Sequence, residues 1–325
     1  MRKAHRKPPV MRRAARIFLN DLNPGKAAVL RDFLRLCHDA TQYFVDLFWQ
    51  RQDFTADLAD LETVHRGRDR FGLTTRLAQA LAKQAKEGVR SAHAANRRKP
   101  RLRRHTVTLY SHFVTIAPFQ GEHFDYSVRL IGSGAPRMTI PMHSTAPIQK
   151  RLAAGWQIGK TIRLGREGDR LWLELLLEKP RPPLQTAGEI VGMDSNYVAG
   201  LVFSDGQQVG KDVVDRIRSF GRHQMHTHAE IQSLWGQALK QINFGDMRLL
   251  CIEDLKQVRR GTRGTFSRTH NRRLSHWQYR HIADLLARHC EEHGVRLQRK
   301  HPAYTSQFCR RCGEWDRRNR VGARF

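Results

Sequence analysis

The sequence predicts a small all-β unit over residues 106–180, preceded by helices, and a mixed α/β unit in its C-terminal half. Short alternating strand patterns crowd residues 106–180. The stiff segment Pro180-Arg181-Pro182-Pro183 then interrupts them. Beyond it, strand patterns alternate with amphipathic helices. At 325 residues the chain has the length of two or three domains, and 40% apolar residues suffice to fill their cores.

Taken in order, residues 14–19 are apolar and β-prone, ahead of the turn signal Asn20-Asp21-Leu22-Asn23-Pro24-Gly25. A helix follows, because Leu30, Phe33, Leu34, Cys37, Ala40, Phe44, Leu47 and Phe48 recur at helical spacing as one stripe. A second helix covers residues 74–95 and runs into Arg97-Arg98-Lys99-Pro100-Arg101-Leu102-Arg103-Arg104, six cations in eight residues. Residues 106–116 alternate as one strand. Residues 161–164 and 171–177 flank the turn Arg166-Glu167-Gly168-Asp169-Arg170, and the whole region reads as a small β-barrel of hairpins.

After the proline break, residues 189–196, 198–204 and 207–210 read as a three-strand meander, with turns at Asn196-Tyr197 and Asp205-Gly206. An amphipathic helix carries Ile231, Leu234, Trp235, Ala238, Leu239 and Ile242 on one face. Residues 248–252 form a short apolar strand, residues 275–293 a helix stopped by Gly294, and residues 295–299 a last strand. The order βββ-α-β-α-β is that of an RNase H-like fold.

Lys and Arg number 58 against 30 Asp and Glu, a formal charge of +28. Such a charge opposes compaction unless a polyanion neutralises it, and nucleic acid does so through counterion release. A solvated basic surface and an anionic membrane are the competing readings. No apolar run approaches the ~18 residues of a spanning helix, and the basic N-terminus lacks the apolar core of a signal peptide. We therefore expect a cytoplasmic protein with no membrane partner. Cys37, Cys251 and Cys290 sit in apolar segments as expected buried thiols, and a sparse, odd set points to a reducing compartment. The 17 His residues are too dispersed to name a ligand set; His226 and His228 read as the start of a helix.

Asp194 lies in the first strand of the meander, and Glu253 closes the strand Leu249-Leu250-Cys251-Ile252-Glu253. If those strands are parallel neighbours, both carboxylates emerge near the same sheet edge. Hard Mg²⁺ ions take oxygen ligands, and a two-metal site for in-line phosphodiester hydrolysis needs ions ~3.5–4 Å apart bridged by a carboxylate. Alone, each acid is read as readily as a turn former or helix cap.

Three motifs resemble one family. Val191-Gly192-Met193-Asp194 with Ser204-Asp205-Gly206 is similar to the first RuvC motif of the transposon-encoded TnpB proteins and compact type V CRISPR effectors. Cys251-Ile252-Glu253-Asp254-Leu255 resembles their second. Thr305-Ser306-Gln307-Phe308-Cys309-Arg310-Arg311-Cys312-Gly313 resembles the first half of their zinc ribbon and is the most specific of the three. The resemblance is strong from residue 191 onward and weaker but compatible before it. It implies a wedge β-barrel interrupted by a helical recognition lobe, followed by a RuvC domain. The expected boundaries are 1–20 for the first wedge strand, 21–104 for the lobe, 105–183 for the wedge, 184–303 for RuvC and 304–325 for a partial zinc ribbon.

By resemblance, Asp194 and Glu253 are two of three Mg²⁺-binding catalytic carboxylates. The family's third is an Asp after a second CxxC, beyond Phe325, so a truncated sequence is expected. Cys309 and Cys312 supply half of a tetrahedral Zn²⁺ site; a redox CxxC would want a thioredoxin-like βαβ setting that is missing here. The interval from Asp194 to Glu253 has room for one crossover helix, where the family often carries a longer basic hairpin. The implied partners are a guide RNA and a double-stranded DNA target with a short flanking motif read by the N-terminal lobe; a homodimer is left open.

Two stretches fit phosphate contacts: Arg97, Arg98, Lys99, Arg101, Arg103 and Arg104, and the Gly/Thr/Ser-interleaved run Arg259, Arg260, Arg263, Arg268, Arg272 and Arg273. His276, Trp277 and Tyr279 offer stacking surfaces, although Trp277 reads better as helix core. The leading function is an RNA-guided, Mg²⁺-dependent DNA endonuclease. An RNA-guided binder that does not cut, a generic basic RNA-binding protein and a DDE-type transposase are the alternatives.

Overall fold

The computed structural model describes residues 9–119, 123–196, 198–219, 228–255, 267, 268, 271 and 276–301. By their packing the described residues divide into two units, Val10–Lys179 and Pro9 with the residues from Pro180 to His301. Among the described residues, no helix is long and apolar enough to cross a membrane.

The first unit opens with β1 (Val10–Phe18) and three helices, α1 (Pro24–Gln50), α2 (Leu61–Phe71) and α3 (Thr75–Ala94). Asn23 caps α1 by accepting from the Lys26 N–H at 2.8 Å, and Pro24 supplies the preset φ of a first helical turn. The stripe expected from the sequence is buried, with Leu30, Leu34, Cys37, Ala40, Phe44 and Phe48 at or below 1% exposure. Helix α2 was not expected, although Asp60 caps it and Gly72 stops it at φ +60°. Gly67 lets α2 approach α1, since a Cβ there would overlap the Phe44 ring.

Strands β2 (Thr106–Leu109), β3 (Val114–Pro118), β4 (Tyr126–Leu130) and β5 (Met138–Met142) follow, then α4 (Ala146–Ala153), β6 (Gln157–Glu167) and β7 (Arg170–Pro180). They form a four-stranded sheet, β1-β7-β6-β2, and a three-stranded sheet, β3-β4-β5. This corrects the single strand expected over residues 106–116. The Phe113 N–H donates to the Tyr110 carbonyl at 2.8 Å, and that turn moves the chain from one sheet to the other. The expected single barrel is accordingly two sheets that share no ladder among the described residues. Both sheets and α1–α3 bury one common hydrophobic core. Gln84 of α3 completes the outer edge of β2: its amide donates to the Thr108 carbonyl (3.1 Å) and accepts from the Thr108 N–H (3.0 Å).

The second unit contains β8 (Glu189–Asn196), β9 (Gly200–Phe203), β10 (Gln208–Val209), α5 (Lys211–Ser219), α6 (His228–Ala238), a 3₁₀ turn Leu239–Gln241, β11 (Met247–Glu253), α7 (Tyr279–His293) and β12 (Arg296–Lys300). The sheet order is β10-β9-β8-β11-β12, with β11 parallel to β8 and to β12. The interval before Glu253 carries two helices, α5 and α6, rather than one. Val213, Val214 and Ile217 give α5 a buried face of its own. Trp235 is fully buried beneath Gly210, whose φ of +75° and contact with the indole leave no space for a Cβ. Gly294 ends α7 in the left-handed conformation at φ +70°, as expected.

Candidate metal and nucleic-acid sites

Strand alternation places the two carboxylates. In β8, Val191 and Met193 point into the core while Asp194 is exposed; in β11, Leu250 and Ile252 are buried while Cys251 and Glu253 are half-buried. The parallel register pairs Leu250 with Val191, Cys251 with Gly192 and Ile252 with Met193. The ladder ends at that pair, and continuing it by one residue brings Glu253 level with Asp194. Adjacent strands lie ~4.8 Å apart, so two side chains at matched positions can share one cation. On the other side of Glu253 the register brings Lys300 of β12, and the Asp254 N–H donates to the Lys300 carbonyl at 2.7 Å.

Backbone and side-chain bonds hold this edge. The Gly192 N–H donates to Ser204 Oγ (2.9 Å), and the Ser204 N–H returns to the Gly192 carbonyl (2.8 Å). Asp205 builds the next turn by accepting from the Gln207 N–H (3.1 Å) and side-chain amide (2.6 Å), around Gly206 at φ +94°. Asn196 accepts from the N–H groups of Val198 (2.7 Å) and Ala199 (3.1 Å), which fixes the exit of β8. A small cleft at the carboxyl end of the parallel strands is lined by Ser195, Glu253, Asp254, Tyr279, Arg280 and Arg299 among others, and Asp194 does not line it. Open α/β sheets commonly bind ligands at that end.

The donor chemistry fits a hard divalent ion, since Asp194 and Glu253 present carboxylate oxygens from rigid strands. Among the described residues, no group of three or more His, Cys, Asp or Glu side chains is arranged to hold a metal. Cys309 and Cys312 lie outside the described residues, as do His226 and Tyr197. Cys37 and Cys290 are buried, and burial pushes the Cys290 thiol up to about 12 and that of Cys37 higher still. Cys251, expected to be buried, is only half-buried because it faces the Asp194 side of the sheet, 3.8 Å from Gln298 Oε1.

The basic run 97–104 forms an ordered strap along α1. Gln42 donates to the Pro100 carbonyl (3.4 Å) and accepts from the Leu102 N–H (2.8 Å), while His38 Nε2 lies 3.2 Å from the Leu102 carbonyl. Pro100 and Leu102 anchor the strap half-buried, and Arg97, Arg98, Lys99, Arg101, Arg103 and Arg104 are all exposed. Lys99 pairs with Asp46 at 2.9 Å. Of the second basic run, Arg268 is described and exposed; Arg259, Arg260, Arg263, Arg272 and Arg273 lie outside the described residues. Trp277 is buried at 8% exposure, in keeping with a core role. Arg16, His105, Arg166 and Lys300 acquire their neighbours only through long-range strand pairing, which leaves no local signal in the sequence.

No protein-family model matches the chain, and no curated protein sequence matches it. Among solved structures, the chain is similar to Cas12f1 in a cryo-electron microscopy structure of the Cas12f1-sgRNA-target DNA complex. The TM-score is 0.52 at 12% identity, over 93% of this chain and 77% of that one. A likeness at this identity is one of fold: the mixed α/β architecture resembles that of a compact, Cas12f-type effector.

Proposed function

We propose that this chain is an RNA-guided nucleic-acid-binding effector with a RuvC-like, Mg²⁺-dependent DNA endonuclease core. The observation that carries the proposal is the parallel pairing of β8 with β11 up to Met193 and Ile252, which brings Asp194 and Glu253, the next residue on each strand, to the same end of the sheet. The net charge of +28 and the fold shared with a protein solved on sgRNA and target DNA support the nucleic-acid part.

In this reading Asp194 and Glu253 are the residues that would hold divalent cations. Bound Mg²⁺ supplies Lewis-acid activation of water and stabilisation of the leaving oxygen. The protein's own part is positional and electrostatic. Two neighbouring carboxylates repel a phosphodiester until cations neutralise them, so substrate and metal bind cooperatively. Lys300, beside Glu253, moderates that repulsion from one side. The exposed cations of the strap, and Arg268 with the further arginines of its run, bind backbone phosphates. Guide pairing then reads the target sequence, and the N-terminal unit reads a short flanking motif. Cys309 and Cys312 would supply two of the four ligands of a Zn²⁺ site in a zinc ribbon.

The test is guide-programmed plasmid cleavage in Mg²⁺, comparing the wild type with Asp194→Ala and Glu253→Ala. Loss of products in both variants, with guide binding retained, is expected. Binding to the programmed target without cleavage by the wild type would instead assign a non-cutting, roadblock-type binder. Equal cleavage by all three proteins would remove these carboxylates from the chemistry.

A further inference from the structure

The strap ends in a cleft of about 520 Å³ in the first unit, within the ~300–1,000 Å³ range of ligand sites. Arg103, Arg104 and His105 line it together with Arg16 of β1 and with Arg166 and Trp172 of the β6–β7 hairpin. The carboxylates at its rim belong to Glu167 and Asp169, in the hairpin turn. Arg16 is already neutralised, bonded to the buried Glu174 at 2.7 Å and stacked 4.1 Å over Trp172, with Glu167 3.7 Å away. Arg103, Arg104 and Arg166 have no carboxylate within 4.0 Å among the described residues. Arg166 instead donates towards His105 Nε2 at 3.5 Å, and His105 stacks on His38 at 4.3 Å.

Three guanidiniums lining one cleft, none with a carboxylate in ion-pair reach among the described residues, repel one another, and an anion seated among them relieves that repulsion. A guanidinium fork matches phosphate oxygens bidentately. Trp172 is 3% exposed and serves as the floor under Arg16, so it presents no open face to a base. We infer that this cleft is a binding site for the phosphodiester backbone of a nucleic-acid strand, held without readout of its sequence. The inference rests on the nucleic-acid part of the proposed function and is independent of cleavage.

The test uses the full chain and fluorescence anisotropy with a labelled RNA stem-loop, a DNA duplex of the same sequence and polyglutamate. The triple variant Arg103→Gln, Arg104→Gln, Arg166→Gln is compared with a control that removes three exposed cations outside the cleft, Arg129→Gln, Lys150→Gln, Lys160→Gln. The cleft variant should weaken binding about tenfold and lower the slope of log affinity against log salt by about 2, at ~0.7–0.9 per lost phosphate contact. The control should change both by much less. Loss on the RNA arm alone assigns the cleft to RNA, loss on the DNA arm alone to DNA, and loss on both to backbone shared by the two. Arg104→Glu, a single exposed reversal, should follow the same direction if the triple variant fails to fold. Equal losses in cleft and control variants, no loss in the cleft variant, or polyglutamate binding as tightly as nucleic acid would each overturn the inference. A wild type that binds neither nucleic acid would overturn the proposed function along with it.

Discussion

Glu174 separates the stability of the first unit from its affinity for polyanions, and Glu174→Gln should move the two in opposite directions. The carboxylate is 7% exposed and accepts from Arg16 at 2.7 and 2.9 Å and from Arg163 at 3.3 Å. Breaking a fully buried ion pair costs ~3–5 kcal/mol, whereas an exposed pair contributes ~0.2–1 kcal/mol. Arg16 and Arg163 remain 36% and 52% exposed, so water compensates much of the lost pairing. The isosteric amide also keeps one acceptor in place. A cost of about 2 kcal/mol follows from lying between those limits. At a urea m-value of about 2 kcal/mol/M, the midpoint of the first unit falls by about 1 M. The same change leaves Arg16, against Trp172 in the cleft, with only the exposed Glu167 carboxylate 3.7 Å away as counter-charge. Affinity for a nucleic-acid strand should therefore rise, with a salt slope steeper by ~0.7–0.9. Urea denaturation and anisotropy titration in parallel check both signs. An unchanged midpoint, or binding that weakens or stays constant, would refute the assignment of Glu174 as the internal counter-ion of this cleft.

Two further outcomes are expected. Gly210→Ala forces a side chain into a left-handed backbone and into the Trp235 ring; the backbone contributes ~1–2 kcal/mol and the overlap ~1–3 kcal/mol, so the second unit should lose about 3 kcal/mol in chemical denaturation. His105 is held below the ordinary histidine range by partial burial first, then by Arg166, His38 and Arg35 against the opposing pull of Asp39. The unfolded chain takes up the proton first as pH falls through 6.5, so stability is full above that value, declines below it, and levels off below the folded-state pKa. His105→Asn should flatten this decline in pH-dependent melting, and an unaltered profile would exclude His105 as its source.

Local signals carried much of the fold. The stripe from Leu30 to Phe48 forecast α1, the Glu167-Gly168-Asp169 turn forecast the β6–β7 hairpin, and Gly294 forecast the end of α7. The element order also implied that Asp194 and Glu253 share one sheet edge, because strands one and four of that order are parallel neighbours. Other features depend on tertiary pairing. Residues 106–116 have strand periodicity throughout, yet the Tyr110–Phe113 turn sends their two ends to different sheets. Arg103 and Arg104 were visible as charge, but the cleft needs Arg16 and Arg166, brought in by β1 and β6 from far away in the chain. Helix α2 was legible in retrospect from the Asp60 cap and the Gly72 stop; its few buried residues, Thr63, Val64 and Gly67, left too faint an apolar stripe to draw attention.

The central claim is that Asp194 and Glu253 act on one divalent site. Its most direct test is an Mn²⁺ titration followed by electron paramagnetic resonance, run as a double-mutant cycle with Asp194→Asn, Glu253→Gln and the double variant in the nucleic-acid-bound protein. A shared site predicts that each single change weakens Mn²⁺ about tenfold or more and that the double variant is little worse than the weaker single one. Losses that simply add, or Mn²⁺ affinity that ignores either side chain, would contradict it.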